Sequence, residues 1–343
     1  MNLSLTTSNL SFNNSKPLNP ENNQIKYSSE DTQMSSSPET HINKNNNQNQ
    51  HIIHDSKTLN TYHKQTESAI IIKQYGRELL NILKIQDQFL PFNYLSKQPF
   101  LSPSNRMKLL INISNLLKEY HNTNNRIYFL SVYIIDTYIY RNELTICQDE
   151  IDLIMICSLY LASKMEDTIT MNYSLIENII HEGKYTKQNI IYKEKEIVSV
   201  LDFELLVTTS YDYIDAFLYD FEVNNEEFVI NCMKKDFRLF KGICVFLCKL
   251  ATLSEEFSTC YQETIAICVL VVAYDLFRNI QEEKNCYNKV NLFLHEWINF
   301  ILNQSTINKS HLKYYYDKLV QMYEMNSMRG YGNELEFQIE YEE

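Results

Sequence analysis

Ile156-Cys157-Ser158-Leu159-Tyr160-Leu161-Ala162 reads as two helical turns with an apolar or small residue at nearly every position. Ile267-Cys268-Val269-Leu270-Val271-Val272-Ala273 repeats the pattern 111 residues on. A helix that is apolar on all sides must be buried on all sides, like the central helix of a bundle. The small residues Cys157, Ser158, Ala162, Cys268 and Ala273 let neighbouring helices approach closely. Two such stretches predict a duplicated helical bundle; a chance likeness between two buried helices is the alternative.

Working outward, apolar residues recur at i, i+3, i+4 and i+7. The spacing predicts helices near 105–120, 126–141, 150–165, 173–181 and 187–201, then near 210–221, 226–250, 260–278, 288–303 and 309–325. A further helix is predicted from Glu67 through Leu83. Composition agrees with an all-α chain. The 343 residues contain 5 Gly and 6 Pro, and no proline follows Pro103. Sandwiches and barrels need Gly and Pro at frequent turns, and phosphate-binding loops need grouped glycines. Pro91, Pro99 and Pro103 punctuate the entry to the first helix set, each pushing its preceding residue away from the α region.

The boundaries predicted are 1–65, an Asn/Ser-rich arm; 66–207, an N-terminal helix and first bundle; 208–325, a second bundle; and 326–343, an acidic tail. The first 50 residues hold 12 Asn, a composition too polar to offset the entropy of ordering and so expected to be disordered. Ser37-Pro38 within it is a candidate proline-directed phosphorylation site. Net charge is −12 and the sequence pI about 5.2, which argues against binding nucleic acid through phosphate contacts. The longest apolar run, Ile265 to Tyr274, is half the roughly 20 residues a membrane span needs, and the N-terminus has no signal-peptide pattern. The expectation is a protein bound to neither membrane nor nucleic acid.

Catalytic and metal-binding patterns are missing. The eight cysteines form no CxxC pair and read as buried free thiols of a reducing compartment. His51 and His54 lie in the polar arm without companion ligands. Cys244 and Cys248 share a helix face, and His181 and His295 lack a nucleophile or acidic partner. The expectation is no catalytic residue, no cofactor and no metal.

The central stretch resembles the cyclin box. Leu130-Ser131-Val132-Tyr133-Ile134-Ile135-Asp136 is similar to the family's LAVxYxD helix, and Leu159 to Asp167 (LYLASKMED) to its LLASKxEE. Tyr185-Thr186-Lys187 follows, with Glu194 nine residues after Tyr185. Leu201-Asp202-Phe203-Glu204-Leu205 closes the box like LxFxL. Upstream, Tyr94 to Pro99 (YLSKQP) resembles the YMxKQP of A- and B-type cyclins and places Arg106 on the family's first-helix arginine. Val245 to Phe277 resembles the second helical domain.

The resemblance implies two tandem five-helix cyclin-fold bundles and a non-enzymatic subunit that binds and activates a cyclin-dependent protein kinase, in nucleus or cytoplasm. It implies a structural salt bridge between Arg106 and Asp136, and kinase contact through Lys164 and Glu194. Lys164 also has a purely structural reading, as a cation at a helix C-terminus. Functional alternatives are a transcription-type cyclin, a cyclin-fold general transcription factor, or a helical scaffold without a kinase.

Departures from the pattern are specific. Asn105-Arg106-Met107-Lys108-Leu109 replaces MRAIL, and Asn112 stands where the substrate-docking patch has Trp, which speaks against RxL-type docking. Thr137 replaces the usual Arg. Thr208-Thr209 replaces Pro-Thr and predicts a less rigid linker between the bundles. The arm contains neither an RxxL nor a KEN degradation motif.

Overall fold

The computed structural model describes residues 81–85, 87–91, 93–120, 124–167, 185–225, 229, 234–283 and 289–328, all within the compact unit Ser56–Glu343. The arm (with Ser37, His51 and His54), the start of the Glu67 helix, the 173–181 helix, His181, Cys232, Cys286 and the tail beyond Met328 lie outside the described residues.

The first set comprises α1 (Pro103–Glu119), α2 (Asn125–Arg141), α3 (Ile151–Glu166) and α4 (Lys187–Val200). The second comprises α5 (Ser210–Asn224), α6 (Lys234–Thr252), α7 (Gln262–Glu283), α8 (Lys289–Gln304) and α9 (Lys309–Met328). Local chemistry sets the starts. Ser102 accepts from the Asn105 amide with Pro103 at the first helical position, the arrangement that suits proline's fixed φ. Thr186 with Asn189 and Thr209 with Asp212 form capping boxes at α4 and α5, each satisfying otherwise orphaned amides.

The two apolar stretches fall in α3 and α7, and Cys157, Ser158, Ala162, Cys268 and Ala273 are all fully buried. In both sets that helix packs against the first, second and last helices of its own set, so the repeat in sequence is a repeat in architecture. The chain is all-α: two tandem helical bundles joined by the 201–209 linker. Among the described residues the only strand-like pairing is an isolated bridge between Asp87 and Thr208.

That bridge reverses the expectation of a loose linker. Thr208 is buried and paired to Asp87, while Thr209 caps α5. The missing proline is compensated by fastening from outside. Asp87 also accepts from the Gln262 and Glu263 amides at 2.9 and 3.1 Å, so a residue far upstream caps α7. Asp87→Ala is expected to cost about 1–2 kcal/mol of unfolding free energy, the usual worth of an N-cap, measurable by urea denaturation.

Candidate functional site

Lys164 occupies the last turn of α3 and Glu194 the middle of the neighbouring α4. Lys164 Nζ lies 2.6 Å from Glu194 Oε1 and 3.8 Å from the centroid of the Tyr160 ring, one turn earlier on α3. The α3 C-terminus is closed by Asn124, whose Nδ2 donates to Glu166 O at 3.2 Å and to Asp167 Oδ1 at 3.1 Å. The Lys164 side chain is about a third exposed (36%) and that of Glu194 is 13% exposed. The pair is therefore formed at the surface, with donors and acceptors left over for a visiting main chain.

Glu196, two residues on, faces the other way. It accepts from the Tyr138 hydroxyl and lies 2.9 Å from Lys193 Nζ, which also reaches Glu150 at 3.1 Å. Burial alone would lower the Lys193 pKa, but the hydrogen bonds it donates to Glu196 and Glu150 outweigh that and raise it. This partly exposed cluster, with Lys193 buried at its centre, ties α4 to α2 and so fixes the helix that carries Glu194.

Apolar side chains are exposed on the two elements that carry the ion pair. Met165 follows Lys164 on α3 and is exposed, and Phe203 and Leu206 are 77% and 76% exposed in the turn after α4. Asp202 and Phe203 both have left-handed backbone, at φ 52 and φ 61. A bulky residue held there costs about 1–3 kcal/mol and persists only where surroundings over-determine it. Arg141 supplies that restraint, donating to Leu201 O at 2.9 Å and to Glu204 Oε2 at 2.6 Å.

Arg106 and Asp136 meet on the inner faces of α1 and α2. Arg106 Nε donates to Asp136 Oδ1 at 2.7 Å and Nη2 to Oδ2 at 2.6 Å, with Arg106 only 1% exposed. Burial works against the guanidinium charge, but Asp136 outweighs it and holds the pKa above its ordinary value. The fork reaches further than one bundle. Nη1 donates to Thr252 O at 2.7 Å and Nη2 to Ser258 Oγ at 3.3 Å, both at the end of α6 and just beyond. One side chain thus ties the bundles together.

No group of His, Cys, Asp and Glu able to hold a metal occurs among the described residues, nor any helix long and apolar enough to cross a membrane. Cys157, Cys244, Cys248, Cys260 and Cys268 are buried free thiols, whereas Cys147 is exposed. Burial pushes Cys157 and Cys248 up to about 12, which leaves both as unreactive thiols. His295 is engaged by Asn299 at 3.0 Å.

Residues 78–206 match the family model described as Cyclin, N-terminal domain. Similar curated proteins include Cyclin-B1-5 of Oryza sativa subsp. japonica, 24% identical over 155 residues, covering 44% of this chain and 33% of that protein. Another is G2/mitotic-specific cyclin-B3 of Drosophila melanogaster, 22% identical over 154 residues, covering 44% of this chain and 26% of that protein. The matched stretch spans a third or less of these relatives' length. Among solved structures, a viral cyclin from herpesvirus saimiri shares the fold with a TM-score of 0.52 at 14% identity, over 72% of this chain and 97% of that one. Residues 78–206 thus form a domain of the cyclin N-terminal type, and the fold shared with the viral cyclin extends well past it.

Proposed function

We propose that this chain is the regulatory subunit of a cyclin-dependent protein kinase acting in cell-cycle control, and that it is not itself a catalyst. The observation that carries the reading is the surface Lys164–Glu194 pair, on elements that also expose Met165, Phe203 and Leu206. Lys164 can donate to carbonyls and Glu194 can accept from amides of a helix-flanking backbone, while the apolar side chains supply most of the affinity. Binding the active kinase conformer better than the inactive one shifts the kinase toward activity, completing the Lys–Glu pair that orients ATP. ATP and its metal belong to the partner. The B-type cyclins among the relatives favour a cell-cycle partner over a transcription kinase, and the acidic net charge weighs against a DNA-binding factor.

The test is purification of the tagged chain from its own cells, with identification of co-purifying proteins and a kinase assay. The double variant Lys164→Glu, Glu194→Lys retains a salt bridge of reversed polarity, so it folds but offers the wrong groups to the partner. Wild type brings down an active kinase and the double variant does not; equal recovery, or no kinase with wild type, overturns the reading.

Two further outcomes follow from the same surface. Phe203→Gly relieves the left-handed strain and raises stability by roughly 0.5–1 kcal/mol, while weakening kinase binding; thermal unfolding and pull-down read the two effects separately. On α1, Lys108 and Asn112 are exposed in place of an apolar patch. A synthetic RxL peptide is expected to show no saturable binding by fluorescence anisotropy at micromolar concentration.

A further inference from the structure

Tyr160 and Lys164 stand four residues apart on α3, on one face of the helix. Side chains on a helix lean toward its N-terminus, so a lysine at i+4 is laid back over residue i. That tilt brings Lys164 Nζ to 3.8 Å from the Tyr160 ring centroid. The ring is half-buried and packs against the hydrophobic core, which makes it a fixed platform for an ammonium at the surface. Glu194 closes in from α4, its Oε1 accepting from Lys164 Nζ at 2.6 Å. An ammonium laid back over Tyr160 is directed away from the last carbonyls of α3. Asn124 serves those instead, donating to Glu166 O at 3.2 Å.

The chemistry of the three groups defines what Lys164 can do. A lysine stem has wide rotamer freedom, and a partly exposed ion pair alone restrains it weakly. An aromatic face adds a second restraint, because the ring quadrupole attracts a cation. The LLASKxEE pattern has a leucine at the position of Tyr160, and a leucine offers no such face. An ammonium carries three N–H donors. Glu194 takes one and the ring face a second, which leaves one.

We propose that Tyr160 is a positioning residue for the Lys164–Glu194 site: its ring and the Glu194 carboxylate hold the ammonium from two sides and leave a single N–H outward, for one backbone carbonyl oxygen of the partner. The partner contact rests on the kinase reading. The positioning of Lys164 does not.

The test uses the full-length chain with Tyr160→Phe, which keeps the ring, and Tyr160→Leu, which removes it. In lysine-labelled protein, the ε-methylene resonance of Lys164, assigned by its loss in Lys164→Arg, is expected upfield in wild type and Tyr160→Phe. In Tyr160→Leu it returns to the ordinary lysine position. In titrations of the co-purified kinase, separated from its subunit, Tyr160→Leu is expected to need about two- to five-fold more protein for half-maximal stimulation, the worth of an exposed cation–π contact. Its maximal rate is unchanged, and Tyr160→Phe restores the wild-type curve. A Lys164 resonance with no upfield shift in wild type overturns the proposal. So does a Tyr160→Leu curve that superimposes on wild type, which would leave the kinase reading intact. If no kinase responds to wild type, the kinase reading fails, whereas the Lys164 shift is measured without a partner and still decides the positioning. Should Tyr160→Leu not fold, Tyr160→Met takes its place.

Discussion

Arg106→Ala is expected to lower the unfolding free energy by about 3–5 kcal/mol, the cost of stranding one partner of a buried ion pair. It leaves Asp136 buried with Ser258 at 3.3 Å as a remaining donor and removes the donor to the Thr252 carbonyl. The loss reaches both bundles. Trp297 is the only tryptophan and packs on Phe221 of the second bundle at 4.8 Å, so its fluorescence reports that bundle while circular dichroism reports both. The two urea transitions are expected to shift together. An unmoved Trp297 transition would show that Arg106 acts within the first bundle alone. Arg106→Lys keeps the charge but loses the fork, and is expected to fall between wild type and Ala.

The second large effect is a gain. Lys249 in α6 is buried, with its ammonium 5.2 Å from the Tyr128 ring centroid. Burial first, and the Lys118 charge second, lower its pKa from 10.5 to about 7. The unfolded chain restores the ordinary value, so between about pH 7 and 10.5 the unfolded state binds the proton and the folded state does not. Stability attributable to this group therefore rises with pH across that window and is lowest below it. Lys249→Met keeps the length and apolar stem and removes the cost. At pH 7 it is expected to stabilise by on the order of 3 kcal/mol, a margin that shrinks toward pH 10. A Met variant less stable than wild type at pH 7, by urea denaturation, contradicts this account.

How much of this could be read from the sequence depends on where each interaction's information resides. The α3 and α7 cores were legible because a helix apolar on every side admits one environment. Arg106, Asp136, Lys164 and Glu194 were legible as a set through motif order and spacing, and the structure brings each pair together. Three things were hidden. The Arg106 fork ends on a backbone carbonyl, which has no residue identity to read. Asp87 caps α7 from across the fold, whereas cap signatures are sought in adjacent residues. Thr208 looked like lost rigidity because proline's contribution is local and the Asp87 bridge is not. Phe203 was quoted in its motif, but its exposure follows from left-handed backbone that no propensity announces. Lys193 and Glu196 carried a faint signal, as an i, i+3 pair of opposite charge beside Glu194.

The central claim is that the Lys164–Glu194 surface switches a kinase on. Its most direct measurement is the phosphate-transfer rate of the co-purified kinase, separated from its subunit and titrated with this chain. Wild type is expected to give saturating stimulation, with the Lys164→Glu, Glu194→Lys variant needing at least about ten-fold more protein, the equivalent of roughly 1.4 kcal/mol of binding free energy. A rate indifferent to the chain, or superimposable curves for the two proteins, would contradict it.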